Sequence, residues 1–260
     1  MVTLQSELGM YTYNAEVMSF KQIIKRNVHP LVWERLGQAK QEFSWARQAY
    51  HCDSNLIPVF KKYLSKQSGY YVEVGSYDGR GGSNTYHLEM QLGWSGVLVE
   101  PIMHLFFRSR QIRNLNKNQF FNAACVSEDY KLPYIELYYS GMMSVVTEDI
   151  GKMKSEDWAR VGSQFLSRGE TVQRAYSNAR TLTSILDEAK APNVIDFLSI
   201  DVEGYELSVL NGIDFHRYSF NFILIETSEN SPSFELLLKL GYEHLATIAQ
   251  NVLFRTRNFD

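Results

Sequence analysis

Short apolar runs alternate with segments of helical apolar spacing along most of this chain, from about residue 56 onwards. Runs bounded by glycine, proline or asparagine predict strands, and apolar residues three or four positions apart predict helices. The predicted strands span residues 70–74, 96–100, 118–122, 195–200, 220–225, 242–248 and 252–255. The predicted helices span residues 56–64, 83–92, 102–113, 182–189, 205–210 and 232–240.

This alternation predicts an α/β fold with a mostly parallel sheet of seven strands and helices on both faces. The last two strands lie close enough in sequence to pair as an antiparallel hairpin. Ser231 stands at the N-cap position of the last helix, and Gly241 stands just past its end. The hairpin would add antiparallel strands to an otherwise parallel sheet.

Two segments depart from the alternation. Residues 1–54 are rich in glutamine, basic and aromatic residues, with apolar positions spaced as on helices, and they predict a helical extension to a domain of residues 55–260. This extension either packs on the domain or binds a partner, and a homo-oligomer formed through it is one expectation. Residues 141–180 are Met-rich, charged and helically spaced, which predicts an inserted, lid-like segment over the carboxyl edge of the sheet.

The composition excludes several classes of protein. A hydrophobic content of 45% suffices for a full core, and a net charge of −3 gives no reason to expect nucleic acid or an anionic membrane as partner. The only cysteines, Cys52 and Cys125, are far apart and predict neither a disulfide framework nor a cysteine metal site. With no apolar run that could span a bilayer and no signal-peptide pattern, the expected location is the cytoplasm.

Candidate chemistry lies where the predicted strands end, because ligands of parallel α/β sheets bind at the carboxyl ends of the strands. These ends carry the glycine turn of residues 75–82, then Glu100, Asn122, Asp201 and Glu226. The turn lacks the dinucleotide spacing Gly-x-Gly-x-x-Gly, and a pyrophosphate favours backbone amides and cations over carboxylates. The acidic strand ends therefore fit a cationic adenosyl compound without phosphates.

Glu100 places that ligand. A carboxylate at the end of the second strand, downstream of a glycine turn, can accept hydrogen bonds from two ribose hydroxyls. The alternative is a surface carboxylate before Pro101, the residue that stops the strand. The glycine turn upstream favours the ribose role.

Three stretches carry a family resemblance. They are Val-Glu-Val-Gly-Ser-Tyr-Asp-Gly at residues 72–79, Gly-Trp-Ser-Gly-Val-Leu-Val-Glu-Pro at 93–101, and Asp-Phe-Leu-Ser-Ile-Asp-Val-Glu-Gly-Tyr-Glu at 196–206. From about residue 55 onwards the chain resembles the FkbM-type methyltransferases, class I enzymes with a Rossmann-like fold that use S-adenosyl-L-methionine and mostly methylate hydroxyls of sugars and natural products. Many members have lysine where Ser199 stands, and residues 141–180 match no known part of the family.

The resemblance implies a set of cofactor-binding residues. It assigns the methionine portion of the cofactor to the first turn, the ribose to Glu100, and the adenine to the end of the third strand. The residues so assigned are Glu73, Gly75, Ser76, Asp78, Gly79, Glu100, Asn122 and Ala123. Tyr77 and Tyr205 lie beside the same predicted pocket and could stack on a ring.

Asp201 and Glu203 are the predicted catalytic residues. Asp201 would take the proton of an acceptor hydroxyl, and Glu203 would orient that hydroxyl or raise the pKa of the aspartate. Alternatively, Asp201 and Glu226 would bind a divalent cation such as Mg²⁺. Glu206 is expected only to favour the positive N-terminal end of the helix that follows. The six histidines form no cluster with metal-ligand spacing, so no metal site is predicted from them.

The predicted function is transfer of a methyl group from S-adenosyl-L-methionine to a hydroxyl of a sugar, a glycan or a natural-product-like acceptor. A nicotinamide-dependent oxidoreductase is the alternative with the same fold, and the missing pyrophosphate turn counts against it. A non-catalytic interaction module that keeps the fold is the second alternative. Such a module would be expected to lack a residue of the cofactor site, whereas Gly75, Glu100 and Asp201 are all in place.

Overall fold

A computed structural model describes residues 52–147, 154–166 and 169–257, all of which belong to one compact unit. Residues 1–51 of the predicted N-terminal extension lie outside the described residues. The helices are α1 (Ile57–Tyr63), α2 (Tyr86–Leu92), α3 (Met103–Ile112), α4 (Ser155–Gly162), α5 (Leu182–Ala189), α6 (Glu206–Asn211) and α7 (Pro232–Lys239).

The strands belong to two sheets. They are β1 (Tyr70–Val74), β2 (Ser95–Val99), β3 (Asn118–Phe121), β4 (Ala124–Cys125), β5 (Tyr134–Tyr139), β6 (Val145–Val146), β7 (Gln173–Arg180), β8 (Val194–Ile200), β9 (Ser219–Glu226), β10 (Tyr242–Ile248) and β11 (Asn251–Thr256). The main sheet has seven strands in the order β10–β11–β9–β8–β1–β2–β3. The second has four in the order β4–β7–β5–β6.

The main sheet confirms the predicted α/β fold. Strands β3, β2, β1, β8 and β9 pair in parallel, and β11 lies antiparallel between β9 and β10 as the predicted hairpin. This agrees with the Rossmann-like fold that the family resemblance implies. The chain runs outwards from β1 in one direction to β2 and in the other to β8, so the strand order reverses between β1 and β8. A ligand is expected in the crevice outside the carboxyl ends at that point.

The core explains why the central strands are nearly continuous apolar runs. Helices cover the sheet on both faces, so successive side chains of β1 and β8 are buried whichever way they point. Val72, for example, pairs with Val97 of β2 and Leu198 of β8, and all three are fully buried. On α5 the buried residues are three or four positions apart and pack against this sheet.

Helix α2 begins later than the sequence predicts. The predicted start was residue 83, whereas α2 starts at Tyr86. Ser83 and Thr85 direct their hydroxyls, and Asn84 its backbone N–H, to the carboxylate of Glu73. Polar side chains that bond a nearby acceptor compete with helical backbone geometry, which accounts for the delay.

The inserted segment of residues 141–180 contains more strand than its spacing predicts. Of its described residues, α4 is the helix of regular length, whereas β6 and β7 are strands. Strand β7 pairs with β5 over six residue pairs, from Tyr134 with Asn178 to Tyr139 with Gln173. The prediction of helical structure is therefore wrong for this strand. Because β7 buries only Ser177 fully, it has no apolar alternation that would reveal it.

Two predictions from composition can be compared with the fold. Cys52 and Cys125 are both buried, and they are not joined by a disulfide. In the described part of the chain, no helix combines the length and the apolar character needed to cross a membrane.

Candidate functional site

The glycine turn after β1 depends on Gly75. Its φ of 86° lies in the left-handed region, and a Cβ added there would stand 1.9 Å from the carbonyl oxygen of Asp201. The backbone N–H of Asp201 in turn donates to the carbonyl oxygen of Val74 at 3.1 Å. Gly75 therefore allows the carboxyl ends of β1 and β8 to approach each other, since any side chain would push them apart.

Glu100 lies at the end of β2, where the prediction placed it, and is 5% exposed. The N–H of Tyr77 donates to its Oε2 at 2.8 Å, and the N–H of Ile102 donates to its Oε1 at 2.8 Å. Burial raises the pKa of Glu100 to about 8, although both N–H groups favour the charged form. The carboxylate is thus oriented by the backbone and has lone pairs left for further donors.

Glu73 has a different environment from the predicted one. Its carboxylate accepts hydrogen bonds from Ser83 Oγ at 2.9 and 3.0 Å, from the N–H of Asn84 at 2.8 Å and from Thr85 Oγ1 at 2.7 Å. Arg113 lies 3.5 Å away. Burial raises the pKa of Glu73, and Arg113 and these donors oppose the rise. Its carboxylate secures the turn from behind, and it does not line the cavity described below.

Arg113 directly follows α3 and is the cation of this buried cluster. Its Nε bonds Glu89 at 2.5 Å, Nη1 bonds the carbonyl oxygen of Gly79 at 3.1 Å, and Nη2 bonds Thr85 Oγ1 at 3.0 Å and the Tyr71 hydroxyl. The guanidinium is fully buried. It therefore ties α2, α3 and the glycine turn together. The sequence analysis did not identify this residue.

Three more predicted cofactor residues in the turn have structural contacts instead of cavity contacts. Asp78 accepts from the N–H groups of Arg80 at 3.0 Å and Gly81 at 2.7 Å, which closes its own turn. Ser76 is buried, and its N–H donates to the carbonyl oxygen of Val99 at 3.1 Å. A Cβ on Gly79 would stand 2.9 Å from the Cα of Ser109, so Gly79 allows α3 to pack against the turn.

A cavity, which we call the carboxyl-edge cavity, opens where β1, β2 and β8 end. It contains about 620 Å³ of space between atoms, part of which is open to solvent. Five predicted site residues line it: Gly75, Glu100, Ala123, Asp201 and Glu203. Tyr77 and Tyr205 line it as well, as predicted. The inserted segment forms part of its wall through Met142 and Val146.

Asn122 and Ala123 have different surroundings at this edge of the sheet. Ala123 lines the cavity, whereas the Asn122 amide donates to the carbonyl oxygens of Glu100 at 2.9 Å and Pro101 at 3.0 Å. Asn122 therefore fixes the backbone that carries Glu100, and its side chain faces an open groove on the other side.

Three carboxylates meet at the end of β8 and β9. Asp201, Glu203 and Glu226 each present an oxygen within 4.8 Å of the others. Burial, followed by the charge of Asp201, raises the pKa of Glu226 to about 9. Burial also raises the pKa of Asp201, and a hydrogen bond from Glu226 opposes that rise. The pair therefore shares one proton, held by Glu226 and donated to Asp201, which relieves the repulsion between them.

The turn after Asp201 holds Glu203 and Glu206 in different roles. Glu203 has φ 55° and Gly204 has φ 99°, so two consecutive residues adopt the left-handed conformation. Burial, followed by the charges of Asp201 and Glu206, raises the pKa of Glu203 to about 8. Glu206 is the first residue of α6, and its carboxylate accepts from the N–H of Gly204 at 2.9 Å in the preceding turn.

The structure gives Glu226 a part in the site beyond the metal alternative, because its carboxyl group interacts with Asp201. Its position at a strand end had already placed it at this edge of the sheet. His87, from α2, is buried and stacks on Phe60 with ring centroids 4.8 Å apart, and it does not line the cavity.

Comparisons with known proteins show which of them this chain resembles. Residues 73–252 match the family described as Methyltransferase FkbM domain. Among curated proteins, none is a significant sequence match. A crystal structure of methyltransferase FkbM from Methylobacillus flagellatus KT is 12% identical with a TM-score of 0.41, covering 82% of this chain and 57% of that one. This chain thus spans little more than half of that protein.

Two further solved structures show similar likeness. A SAM-dependent methyltransferase from Aquifex aeolicus is 12% identical with a TM-score of 0.35, covering 80% of this chain and 91% of that one. The N-terminal domain of human METTL16 in complex with SAH is 12% identical with a TM-score of 0.36, covering 80% of this chain and 70% of that one.

Proposed function

Because this chain belongs to the methyltransferase FkbM domain family, we propose that it transfers a methyl group from S-adenosyl-L-methionine to a hydroxyl of a small acceptor such as a sugar, a glycan or a natural product. The observation that carries the proposal is the acidic lining of the carboxyl-edge cavity. Of the described residues that line it, three have carboxyl groups and none is lysine, arginine or histidine. Burial raises the pKa of all three carboxyl groups, and a bound cation would favour their charged forms, so such a cavity favours a cation without phosphates over a dinucleotide.

The residues present fit the adenosyl cofactor. Glu100 offers an oriented, buried carboxylate for the ribose hydroxyls, and Ala123 offers a flat apolar surface for the adenine. Gly75 exposes backbone instead of a side chain beside Asp201. When bound, S-adenosyl-L-methionine supplies an electrophilic methyl group on a positively charged sulfur. Under this proposal Glu73, Ser76, Asp78, Gly79 and Asn122 support the site from behind instead of touching the cofactor.

On the acceptor side, the carboxylates have the chemistry of a general base. Asp201 lies on the cavity wall, and its raised pKa brings it closer to the range in which a base works near neutral pH. In this proposal Asp201 accepts the proton of the acceptor hydroxyl, and Glu203 orients that hydroxyl. Glu226 holds Asp201 in place through their shared proton. Because that proton already relieves the repulsion, the proposal requires no Mg²⁺.

The first test is calorimetry on the full chain with S-adenosyl-L-methionine, S-adenosylhomocysteine and NAD in separate titrations. We expect the adenosyl sulfur compounds to bind and NAD not to bind. Binding of NAD alone would favour the oxidoreductase alternative. Failure of all three to bind would favour a non-catalytic module.

The second test measures the turnover of Asp201→Asn. It follows a screen for acceptors, carried out with the cofactor that binds tightly in the first test. The variant keeps the shape of the side chain and removes the base, so we expect unchanged cofactor affinity and lost turnover. Full turnover in Asp201→Asn would contradict the assignment of the base. Turnover that disappears on chelation and returns with Mg²⁺ would contradict the metal-free mechanism.

A further inference from the structure

A tight turn at the start of the inserted segment carries Met142 to the carboxyl-edge cavity. This turn is a single 3₁₀ turn between β5 and β6. The hydroxyl of the fully buried Ser140 donates to the carbonyl oxygen of Met143 at 2.5 Å, and the hydroxyl of Ser144 donates to the carbonyl oxygen of Gly141 at 2.8 Å. These two bonds close the turn around Met142 and hold its backbone in place.

The same turn packs closely against α4 and the chain that follows this helix. Gly141 has φ 73°, and a Cβ added there would stand 2.9 Å from the carbonyl oxygen of Phe165. A Cβ added to Gly162, the last residue of α4, would stand 2.6 Å from Ser140 Oγ and 2.9 Å from the Cβ of Met143. Because neither glycine has room for a side chain, the turn is fixed by packing as well as by hydrogen bonds.

Met142 itself lies at the boundary between the cavity and solvent. It lines the cavity, and yet it is 46% exposed. Its methyl group reaches the last residue of the glycine turn, since a Cβ added to Gly82 would stand 2.8 Å from Met142 Cε. The side chain therefore spans the opening between the inserted segment and the glycine turn. A methionine side chain is unbranched and flexible, so it can move aside while its backbone stays fixed.

The cavity wall beyond this opening is apolar on the side of the inserted segment. Leu137 and Val146 pair across β5 and β6, are buried, and line the cavity. The carboxyl groups of Asp201 and Glu203 line another part of the wall. A molecule whose hydroxyl reaches Asp201 therefore contacts apolar side chains with another part of its surface. This favours an acceptor that combines a hydroxyl with an apolar face.

We propose that Met142 is a specificity-determining residue: its side chain narrows the opening of the carboxyl-edge cavity and selects, by size, slim acceptors that carry an apolar face. The proposal rests on the function proposed above as far as it concerns acceptors. The narrowing itself is a property of the chain alone, because it depends on Met142, on the turn that carries it and on Gly82. It is therefore measurable without cofactor or acceptor.

The test measures access to the cavity with chemical probes of two sizes. Val146→Cys in the full chain places a thiol on the cavity wall with little change of side-chain volume. Methyl and benzyl methanethiosulfonate are uncharged, react with a thiol to form a mixed disulfide, and differ in bulk. Mass spectrometry of digested samples gives the rate of labelling at each cysteine. Cys52 is buried and does not line the cavity, so its rate reports unfolding.

We expect Met142→Ala to increase the ratio of benzyl to methyl labelling at the introduced thiol at least about tenfold, the discrimination that one methylene group more or less in an apolar pocket produces. Met142→Leu has a similar side-chain volume and should keep the original ratio. Met90→Ala is the matched control, since Met90 on α2 is 45% exposed and does not line the cavity. It should leave the ratio unchanged.

An unchanged ratio in Met142→Ala, or an equal change in Met90→Ala, would overturn the proposal. So would a matching rise in the labelling of Cys52, because the probes would then enter through unfolding. If Val146→Cys does not fold, Ala123→Cys places the thiol at another position of the cavity wall, and the same change of ratio is expected.

Turnover extends the prediction to the acceptor. With an acceptor from the screen, Met142→Ala should raise kcat/KM for a bulkier analogue relative to the acceptor itself, and Met142→Leu should not. The outcomes for the two proposals are distinguishable. A wild-type chain that does not bind S-adenosylhomocysteine refutes the proposed function, whereas the labelling ratio alone decides whether Met142 narrows the opening.

Discussion

At the scale of single residues, Glu100 shows how backbone geometry prepares a side chain for a ligand. The N–H groups of Tyr77 and Ile102 hold both carboxylate oxygens before any ligand arrives. An oriented group loses little further freedom on binding, so more of its interaction energy contributes to affinity. Tyr77 reaches this position with φ 48°, a conformation that is unfavourable for a side chain of its size. Strain of this kind is common at functional sites.

We predict that Glu100→Ala weakens S-adenosylhomocysteine binding by about 1–3 kcal/mol, because the ribose hydroxyls lose buried acceptors. Calorimetry on the folded variant measures the change. Glu128→Ala is the control, since Glu128 is exposed and lies away from the cavity lining. Equal affinity in wild type and Glu100→Ala would remove Glu100 from the cofactor site.

At the scale of elements, the site depends on how closely β1 and β8 converge. The backbone of Gly75 meets that of Asp201 where the strand order reverses, and no side chain fits between them. Not every left-handed glycine has this constraint: a Cβ on Gly241, with φ 91°, would meet nothing within 4 Å. The two positions share a backbone conformation and differ in crowding.

This pair gives a controlled prediction. Gly241→Ala should cost about 1–2 kcal/mol, the typical penalty of a left-handed residue with a Cβ. Gly75→Ala should cost clearly more, since the clash with the Asp201 carbonyl adds to the same penalty. Chemical denaturation of both variants gives the two costs. Equal costs would show that β1 and β8 do not converge as tightly as the structure indicates.

The buried cluster around Arg113 joins three elements, and its energetics can be tested in the same way. Arg113→Met leaves Glu73 and Glu89 buried without their cation, and we predict a loss of about 3–5 kcal/mol in the free energy of unfolding at neutral pH. Arg217→Met is the control. Its pair with Asp187 is half-exposed, and we expect a loss of at most about 1 kcal/mol. Similar losses in both variants would contradict the structural role of Arg113.

These elements also show which parts of the structure are predictable from sequence. Val72, Val97 and Leu198 lie in strands buried on both faces, and such strands leave a continuous apolar run in the sequence. The cap of α7 is equally local, since Ser231 Oγ accepts from the N–H of Phe234 at 3.2 Å. Glu100 and Asp201 follow from the strands because ligand sites occupy strand ends.

Contacts between distant residues were not predictable. The sequence holds 26 lysines and arginines, and no local pattern marks Arg113 as the one that is fully buried beside Glu73. Strand β7 was missed because it is largely polar and exists through its pairing with β5. The hydrogen bonds of Glu73 and Asp78 were not predictable for a related reason, since a position in a turn does not show which way a side chain points.

At the scale of the whole molecule, the acidic strand ends make stability depend on pH. The pKa values of Glu100, Glu203 and Glu226 rise to about 8, 8 and 9 in the folded protein, against 4.5 for an ordinary glutamate. At pH values between 4.5 and these raised pKa values, the folded chain holds protons that the unfolded chain has released. The stability associated with these groups is therefore fully present below about pH 4.5 and is lost as the pH rises to about 9.

His87 acts in the opposite direction on the acidic side. Burial lowers its pKa from 6.5 to about 4, so the unfolded chain binds a proton that the folded chain does not, and the contribution of this group to stability falls as the pH drops through this range. Three carboxyl groups with raised pKa values outweigh this one histidine, so we predict that the ligand-free protein loses stability as the pH rises from about 5 to about 9, and that His87 only reduces the slope below about pH 6.5. Thermal or chemical denaturation across this range measures the profile.

The decisive variant is Glu226→Gln. Its amide can donate to Asp201 at any pH, as the protonated Glu226 does in the native pair, so the variant should gain stability at pH 9 and flatten the decline above pH 6. Glu235→Gln changes the same charge at an exposed position on α7 and should leave the slope unchanged. If Glu226→Gln declines as steeply as the wild type, then Glu226 does not hold a proton above its ordinary range. The shared proton would then no longer account for three carboxylates standing together at the carboxyl edge of the sheet.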